Sequence, residues 1–313
     1  MAVGIVDRQK LVNIADAVRA KKGITGNMTL DAIASNITSM PTVSNNAKFD
    51  FAGSGSKSEG DLLSYLTTVD LSGLDTSSYT DMRIMFYKCS SLTSIDLSNF
   101  NTSKVTNMAE MFSNCSSLTS LDLSNWNTSS VGTSGYGSSF KRMFSSCPSL
   151  NSLDISSFDL SNTQSGSYYS LTSMFNGCKN LKTLKLPNSV SFNKTDICLD
   201  DMFYDCNSLE SLDLTGWDTT NVTSMNYMLH KCYSLKNLTL GENWASNSSI
   251  SSFSLSSCPL THESAVDVIT KLATRSNSPV IQFNSKVGLQ QSEIDVATNK
   301  GWSVSGCTVL GDA

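Results

Sequence analysis

The stretch VTNMAEMFSNCSSLTSLDL, residues 105–123, recurs along the chain with its apolar skeleton intact. Met85-Phe86 precedes Cys89, as Met111-Phe112 precedes Cys115. Met143-Phe144, Met174-Phe175 and Met202-Phe203 stand in the same way before Cys147, Cys178 and Cys206, and Met228-Leu229 before Cys232 is a weaker copy. Cys89, Cys115, Cys147, Cys178, Cys206, Cys232 and Cys258 are separated by 26, 32, 31, 28, 26 and 26 residues. An earlier copy (Leu63, Leu66, Val69, Leu71) lacks the cysteine. A phrase of this length returning at this period marks a chain built from repeats.

Each copy has two halves. Met108, Met111, Phe112 and Cys115 fall at i, i+3, i+4 and i+7, the spacing of one helix face, and predict a short turn of helix. Leu121-Asp122-Leu123 and Ile95-Asp96-Leu97 alternate with period two and predict short strands. Turn residues follow, with one aromatic plug per copy: Phe100, Trp126, Phe158 and Trp217. No copy can bury its own apolar side. Stacking is expected to make ladders of like residues, with parallel strands about 4.8 Å apart.

Val105-Thr106-Asn107-Met108, Met111-Phe112, Cys115, Leu118 and Leu121-Asp122-Leu123 together resemble the BspA-type leucine-rich repeats of bacterial surface proteins and phage-encoded proteins. The resemblance covers residues 60–260. It implies an α/β solenoid: a leucine-rich-repeat superhelix with a parallel concave sheet, short helical turns on the other side, and a small N-terminal helical hairpin. Insertions at Val131–Ser139, Ser161–Ser170 and Pro187–Cys198 are expected to loop out and leave the ladder intact.

Residues 1–40 read as that hairpin. Leu11, Ile14 and Val18 make one apolar stripe, and Leu30, Ile33 and Ile37 another. The wording Ile14-Ala15-Asp16-Ala17-Val18-Arg19-Ala20-Lys21, then Met28-Thr29-Leu30-Asp31-Ala32-Ile33, resembles an N-terminal segment of phage tail and baseplate-associated proteins. The resemblance implies a docking element that attaches to other virion proteins. Residues 41–59 read as a linker. Residues 261–313 predict capping helix–strand units: a helix from Thr261 to about Arg275, a strand at Val280–Phe283, a helix at Ser292–Asn299 and a strand at Trp302–Val304.

Composition narrows the function. The chain has 313 residues, 39% apolar and 16% charged, against roughly 25% charged in an average globular protein. Serine fills the gap. A net charge of −5 argues against nucleic acid as a partner, because phosphate neutralisation needs clustered Lys and Arg. No apolar run approaches the roughly 18 residues of a membrane span, and the first residues do not read as a signal peptide. The two histidines, His230 and His262, belong to no HExxH motif, no CxxC pair suggests zinc, and neither a phosphate-binding loop nor a GxSxG elbow is present. No cofactor and no metal are expected. The in-register cysteines, beside Met and Phe, read as small buried hydrophobes rather than disulfides.

The polar side of the strands carries the candidate binding residues. Asp70, Asp96, Asp122, Asp154 and Asp213 share one position, interrupted by Lys185 and Thr239, and Ser94, Ser120 and Ser152 flank them. Stacked like charges repel unless a cation or ligand screens them, so a polar concave groove for a glycan, a basic peptide or Ca²⁺ is one reading. The other is a solvated face whose Asp residues tie the turn after each strand. The expected function is a non-enzymatic structural and binding protein of a bacteriophage tail or baseplate, present in multiple copies on the virion. It would face a host surface glycan or protein, or neighbouring virion proteins. A bacterial cell-surface adhesin is the alternative, and a glycan hydrolase would need paired carboxylates converging in a pocket.

Overall fold

The computed structural model describes residues 67, 71, 74–133, 139–163 and 171–311. The expected docking residues Leu11, Ile14, Val18, Leu30, Ile33 and Ile37, the linker, and Asp70 lie outside the described residues.

The described chain contains thirteen strands of two to four residues and two helices. The strands are β1 (Ser152–Asp154), β2 (Thr183–Lys185), β3 (Val190–Ser191), β4 (Ile197–Cys198), β5 (Ser211–Leu214), β6 (Trp217–Asp218), β7 (Val222–Ser224), β8 (Asn237–Leu240), β9 (Ser252–Ser254), β10 (Val280–Gln282), β11 (Gly288–Gln290), β12 (Ser303–Ser305) and β13 (Thr308–Leu310). The helices are α1 (His262–Lys271) and α2 (Gln291–Asn299). All strand pairs are parallel, but they form separate patches: β1–β2, β3–β6, β4–β7, β5–β8, β11–β13, and one three-stranded sheet ordered β12–β10–β9.

This overturns the expected α/β solenoid. Among the described residues there is no leucine-rich-repeat superhelix with a continuous parallel concave sheet, and no short helical turns line its other side. Ile95–Leu97 and Leu121–Leu123 form no strand at all. Charge supplies part of the reason. Where repeat strands do pair, Asp154 faces Lys185 and Asp213 faces Thr239. Asp96 and Asp122 repel each other instead, and like charges side by side weaken a ladder. Residues 187–198 do not loop out. They add β3 and β4, which pair with β6 and β7 of the next copy.

The Met-Phe-Cys phrase is the second correction. Met82, Met85, Phe86 and Cys89 are all buried, as their spacing requires. Yet the backbone is a run of overlapping turns: Met85 N–H donates to Met82 O, Tyr87 to Ile84 O, and Cys89 to Phe86 O. The alternate N–H groups of Met82, Ile84, Phe86 and Lys88 donate instead to Asn107, Ala109, Met111 and Ser113 of the next copy. Met108, Glu110, Phe112 and Asn114 repeat this towards Ser139, Lys141, Met143 and Ser145. In an α-helix those N–H groups would turn inward to the i−4 carbonyl and could not link copies. The turns require two left-handed residues each, four apart: Ile84 and Lys88, Glu110 and Asn114, Arg142 and Ser146, Ser173 and Gly177, Asp201 and Asp205, Tyr227 and Lys231, with φ between 52° and 78°.

Side chains stack on this backbone. Phe86, Phe112, Phe144, Phe175 and Phe203 form one column, with centroids 5.3, 5.8, 5.7 and 5.5 Å apart and rings within 14° of parallel. Phe100, Trp126 and Phe158 form a second column at 6.3 and 6.4 Å. Trp217 leaves that register: it meets Phe192 edge-on at 6.0 Å, and its Nε1 donates to Pro187 O. Buried threonines stitch copies together, since the Thr102 hydroxyl both donates to Asn127 O and accepts from Asn127 N–H.

Five of the seven in-register thiols donate to a carbonyl one copy back at 3.0–3.2 Å: Cys115 to Phe86, Cys147 to Phe112, Cys178 to Phe144, Cys206 to Phe175 and Cys232 to Phe203; Cys258 does so to Leu229 at 3.5 Å. Burial pushes Cys147 and Cys258 up to about 12 and Cys198 up to about 11. All nine cysteines are free, and of them Cys307 alone is not buried. Because the thiolate is the reactive form, native protein at pH 8 should release at most about one equivalent of thiol to an aromatic disulfide reagent, with the other eight appearing on unfolding in urea. Rapid labelling of several thiols in native buffer would contradict the thiol column.

Candidate functional site

The strand-side residues sit where their alternation places them, and their chemistry is local. Asp96, Asp122, Asp154 and Asp213 are exposed, as are Ser94, Ser120 and Ser152. Each of the four carboxylates accepts the backbone N–H two residues on, from Ser98, Ser124, Ser156 and Thr215, at 2.9–3.0 Å. This is the turn-tying arrangement typical of Asp. Asn101 and Asn127 do the same one turn later, towards Ser103 and Ser129. The Ser98 hydroxyl and N–H hold Asp96 below the usual carboxylate range, and those of Ser124 do so for Asp122. Hydrogen bonds from Ser156 and the Lys185 ammonium 3.0 Å away hold Asp154 at about 2. The row is thus engaged in its own turns. Among the described residues, no three His, Cys, Asp or Glu side chains converge in a way that could hold a metal ion.

These shifts carry a sign. A carboxyl held below its unfolded value stabilises the fold above that value, near pH 4, and the contribution is lost as pH falls through the folded value. The urea midpoint should therefore drop between about pH 5 and pH 2. Changing Asp96, Asp122, Asp154 and Asp213 together to Asn, which can tie the same turn, should flatten that drop. An unchanged slope in the fourfold variant would refute the assignment.

Side chains converge elsewhere, on the outer face of the turns. The first left-handed residues form a column: Ile84, Glu110, Arg142, Ser173, Asp201, Tyr227. Three residues on, a second column reads Tyr87, Ser113, Ser145, Asn176, Tyr204, His230. Between them lies an open depression of about 320 Å³. Glu110, Arg142 and Asp201 bring charge to it, and Ser113, Ser145, Ser146 and Ser173 bring hydroxyls. Asn114 and Asn176 add amides, and Tyr87 closes one end. Burial, then the neighbouring Asp200, push the Asp201 carboxyl up, while Arg142 and His230 draw it down less strongly.

Both columns run on into aromatic residues. The Tyr204 and His230 rings are 5.4 Å apart, and Tyr227 meets His230 edge-on at 5.8 Å. The Lys231 ammonium stands 5.0 Å over the Tyr204 ring. Tyr227 is 64% exposed and Tyr233, close to Lys231, is 58% exposed. The sequence reading missed this face, because its residues fall between the repeated apolar positions and share no type from copy to copy. The available signal was three tyrosines, Tyr204, Tyr227 and Tyr233, outside both the Phe and the plug registers.

No curated protein matches this sequence. Residues 62–188 and 138–256 each match the family described as "Mycoplasma protein of unknown function, DUF285". The two matches overlap and together span residues 62–256, the copies that build both ring columns and the turn face. The chain therefore belongs to the DUF285 family.

Proposed function

We propose that this is a non-enzymatic binding and structural protein of a bacteriophage particle, in its tail or baseplate, whose repeats are of the BspA surface type. The observation that carries the binding role is the convergence of polar side chains from five successive copies into one trough on the turn face. Such a surface is assembled by stacking and needs no single pocket-forming domain. The particle context rests on the wording of residues 14–21 and 28–33. In this reading residues 1–40 attach to other virion proteins, and the repeats face the host envelope or a neighbouring virion protein.

The test is a phage in which residues 1–40 of this protein are deleted. Gradient-purified particles should lose the protein while it still accumulates in the lysate. Retention on the particles would refute the docking role, and absence of the full-length protein from wild-type particles would refute the context. One observation favours a second reading, a bacterial cell-surface adhesin: the matching family is described from Mycoplasma, a cellular organism. Protease shaving of intact producing cells would then release repeat fragments, which a virion protein would not give.

A further inference from the structure

We propose that the outer turn face is a binding site for a neutral oligosaccharide, with the exposed Tyr227 ring, packed edge-on against His230, as its stacking platform and the adjoining trough as its hydrogen-bonding track. The proposal rests on the reading of this chain as a binding protein and names the ligand class.

Three features select that ligand. The first is continuity. Tyr227 is the next member of the column Glu110, Arg142, Ser173, Asp201, and Tyr204 and His230 continue the column Ser113, Ser145, Asn176. Copies stacked roughly 5 Å apart make a face of about 25 Å over six copies, long enough for a chain of several sugar rings. The second is chemistry. The trough offers the Ser146 hydroxyl, the Asn114 and Asn176 amides and single charged groups, with Ser113, Ser145 and Ser173 buried in its floor, and such groups suit the many hydroxyls of a sugar. A peptide partner would ask for apolar pockets, and this lining has none. Tyr227 and Tyr233 stand exposed, and the negative face of an aromatic ring attracts the weakly positive C–H edge of a pyranose. Tyr also loses little conformational freedom on binding. The third is charge. Lys88, Arg142, Lys179 and Lys231 are interspersed with Glu110, Asp201 and Asp205, the last paired with Lys179 at 3.5 Å, so the face is of mixed sign, with no run of one charge to recruit a polyanion.

The full chain should be applied to a printed array holding neutral oligosaccharides of glucose, galactose, mannose and N-acetylglucosamine beside uronic- and sialic-acid-bearing ones. Retention of neutral members is expected, and the strongest should be followed by titration calorimetry. Tyr227→Ala should weaken it about tenfold, Tyr227→Trp should retain it, and Asp122→Asn, on the strand side, should not change it. Retention of acidic members only, an array with no signal, or unchanged affinity in a folded Tyr227→Ala/Tyr233→Ala double variant would each overturn the proposal. Adhesion to suspended host cells separates the two levels. Adhesion abolished by periodate supports a glycan. Adhesion abolished only by protease sinks the glycan and leaves the binding role, and no adhesion in either case, with no virion partner captured, sinks both.

Discussion

Phe112→Ala should destabilise the protein by about 3–5 kcal/mol, the usual result of emptying a fully buried phenylalanine site. Phe112 has no exposed surface. It stacks on Phe86 at 5.3 Å and Phe144 at 5.8 Å, and it touches Trp126 at 6.2 Å. Loss of the ring therefore opens a gap between two copies rather than at the edge of one. The neighbours cannot slide in to fill it, because the flanking backbones are held apart by the bonds from Phe86 N–H to Met111 O and from Phe112 N–H to Met143 O. A urea melt followed by tryptophan fluorescence reads the change, since Trp126 reports from beside the gap. The Phe112→Ala/Phe144→Ala double variant should cost less than the sum of its parts, because the two rings share one contact. Strict additivity would mean that the rings are not coupled, and the column would then be geometric coincidence.

The membership of that column was legible in the sequence, and its backbone was not. The spacing of Met82, Met85, Phe86 and Cys89 fixes which side chains go inward, and all four are buried. It does not fix where the N–H groups between them point. An α-helix and a run of turns both bring i, i+3, i+4 and i+7 to one side, and they differ only in whether alternate N–H groups bond within the copy or to the next one. Ile84, Glu110 and Arg142 give no local sign of a positive φ, and Ile is an unfavourable residue there. Gly177, Asn114, Asp201 and Asp205 are the residues whose type hints at it, since Gly, Asn and Asp tolerate the left-handed region best. The strands failed for a related reason. Alternation correctly set Leu97 and Leu123 inward, but pairing depends on what each outward residue meets one copy away. Asp against Lys closes a ladder, and Asp against Asp does not. The trough lay further out of reach, because it is made by the columns the repeat leaves variable.

Gly301→Ala is expected to cost on the order of 3 kcal/mol, combining a left-handed backbone penalty with a backbone clash. Gly301 ends α2 with φ +82°. Its N–H donates to Thr298 O, and the following Trp302 N–H donates to Ala297 O, the two bonds of a Schellman cap. A Cβ here would lie 1.9 Å from Arg275 O, which belongs to backbone and cannot rotate away. The same stretch is pinned twice more: Arg275 N–H donates to Lys300 O, and Trp302 Nε1 donates to Ala273 O. The chain can make room only by lifting Trp302 out of its buried site or by breaking the cap. Gly177→Ala separates the two contributions. That glycine also has positive φ, at 78°, but a Cβ would meet nothing closer than 3.5 Å, so its cost should stay near 1 kcal/mol. Thermal melts of the two variants should therefore differ severalfold in their shift. Equal shifts would show that conformation alone matters at both sites and that the approach of Arg275 O to Gly301 is looser than the structure places it.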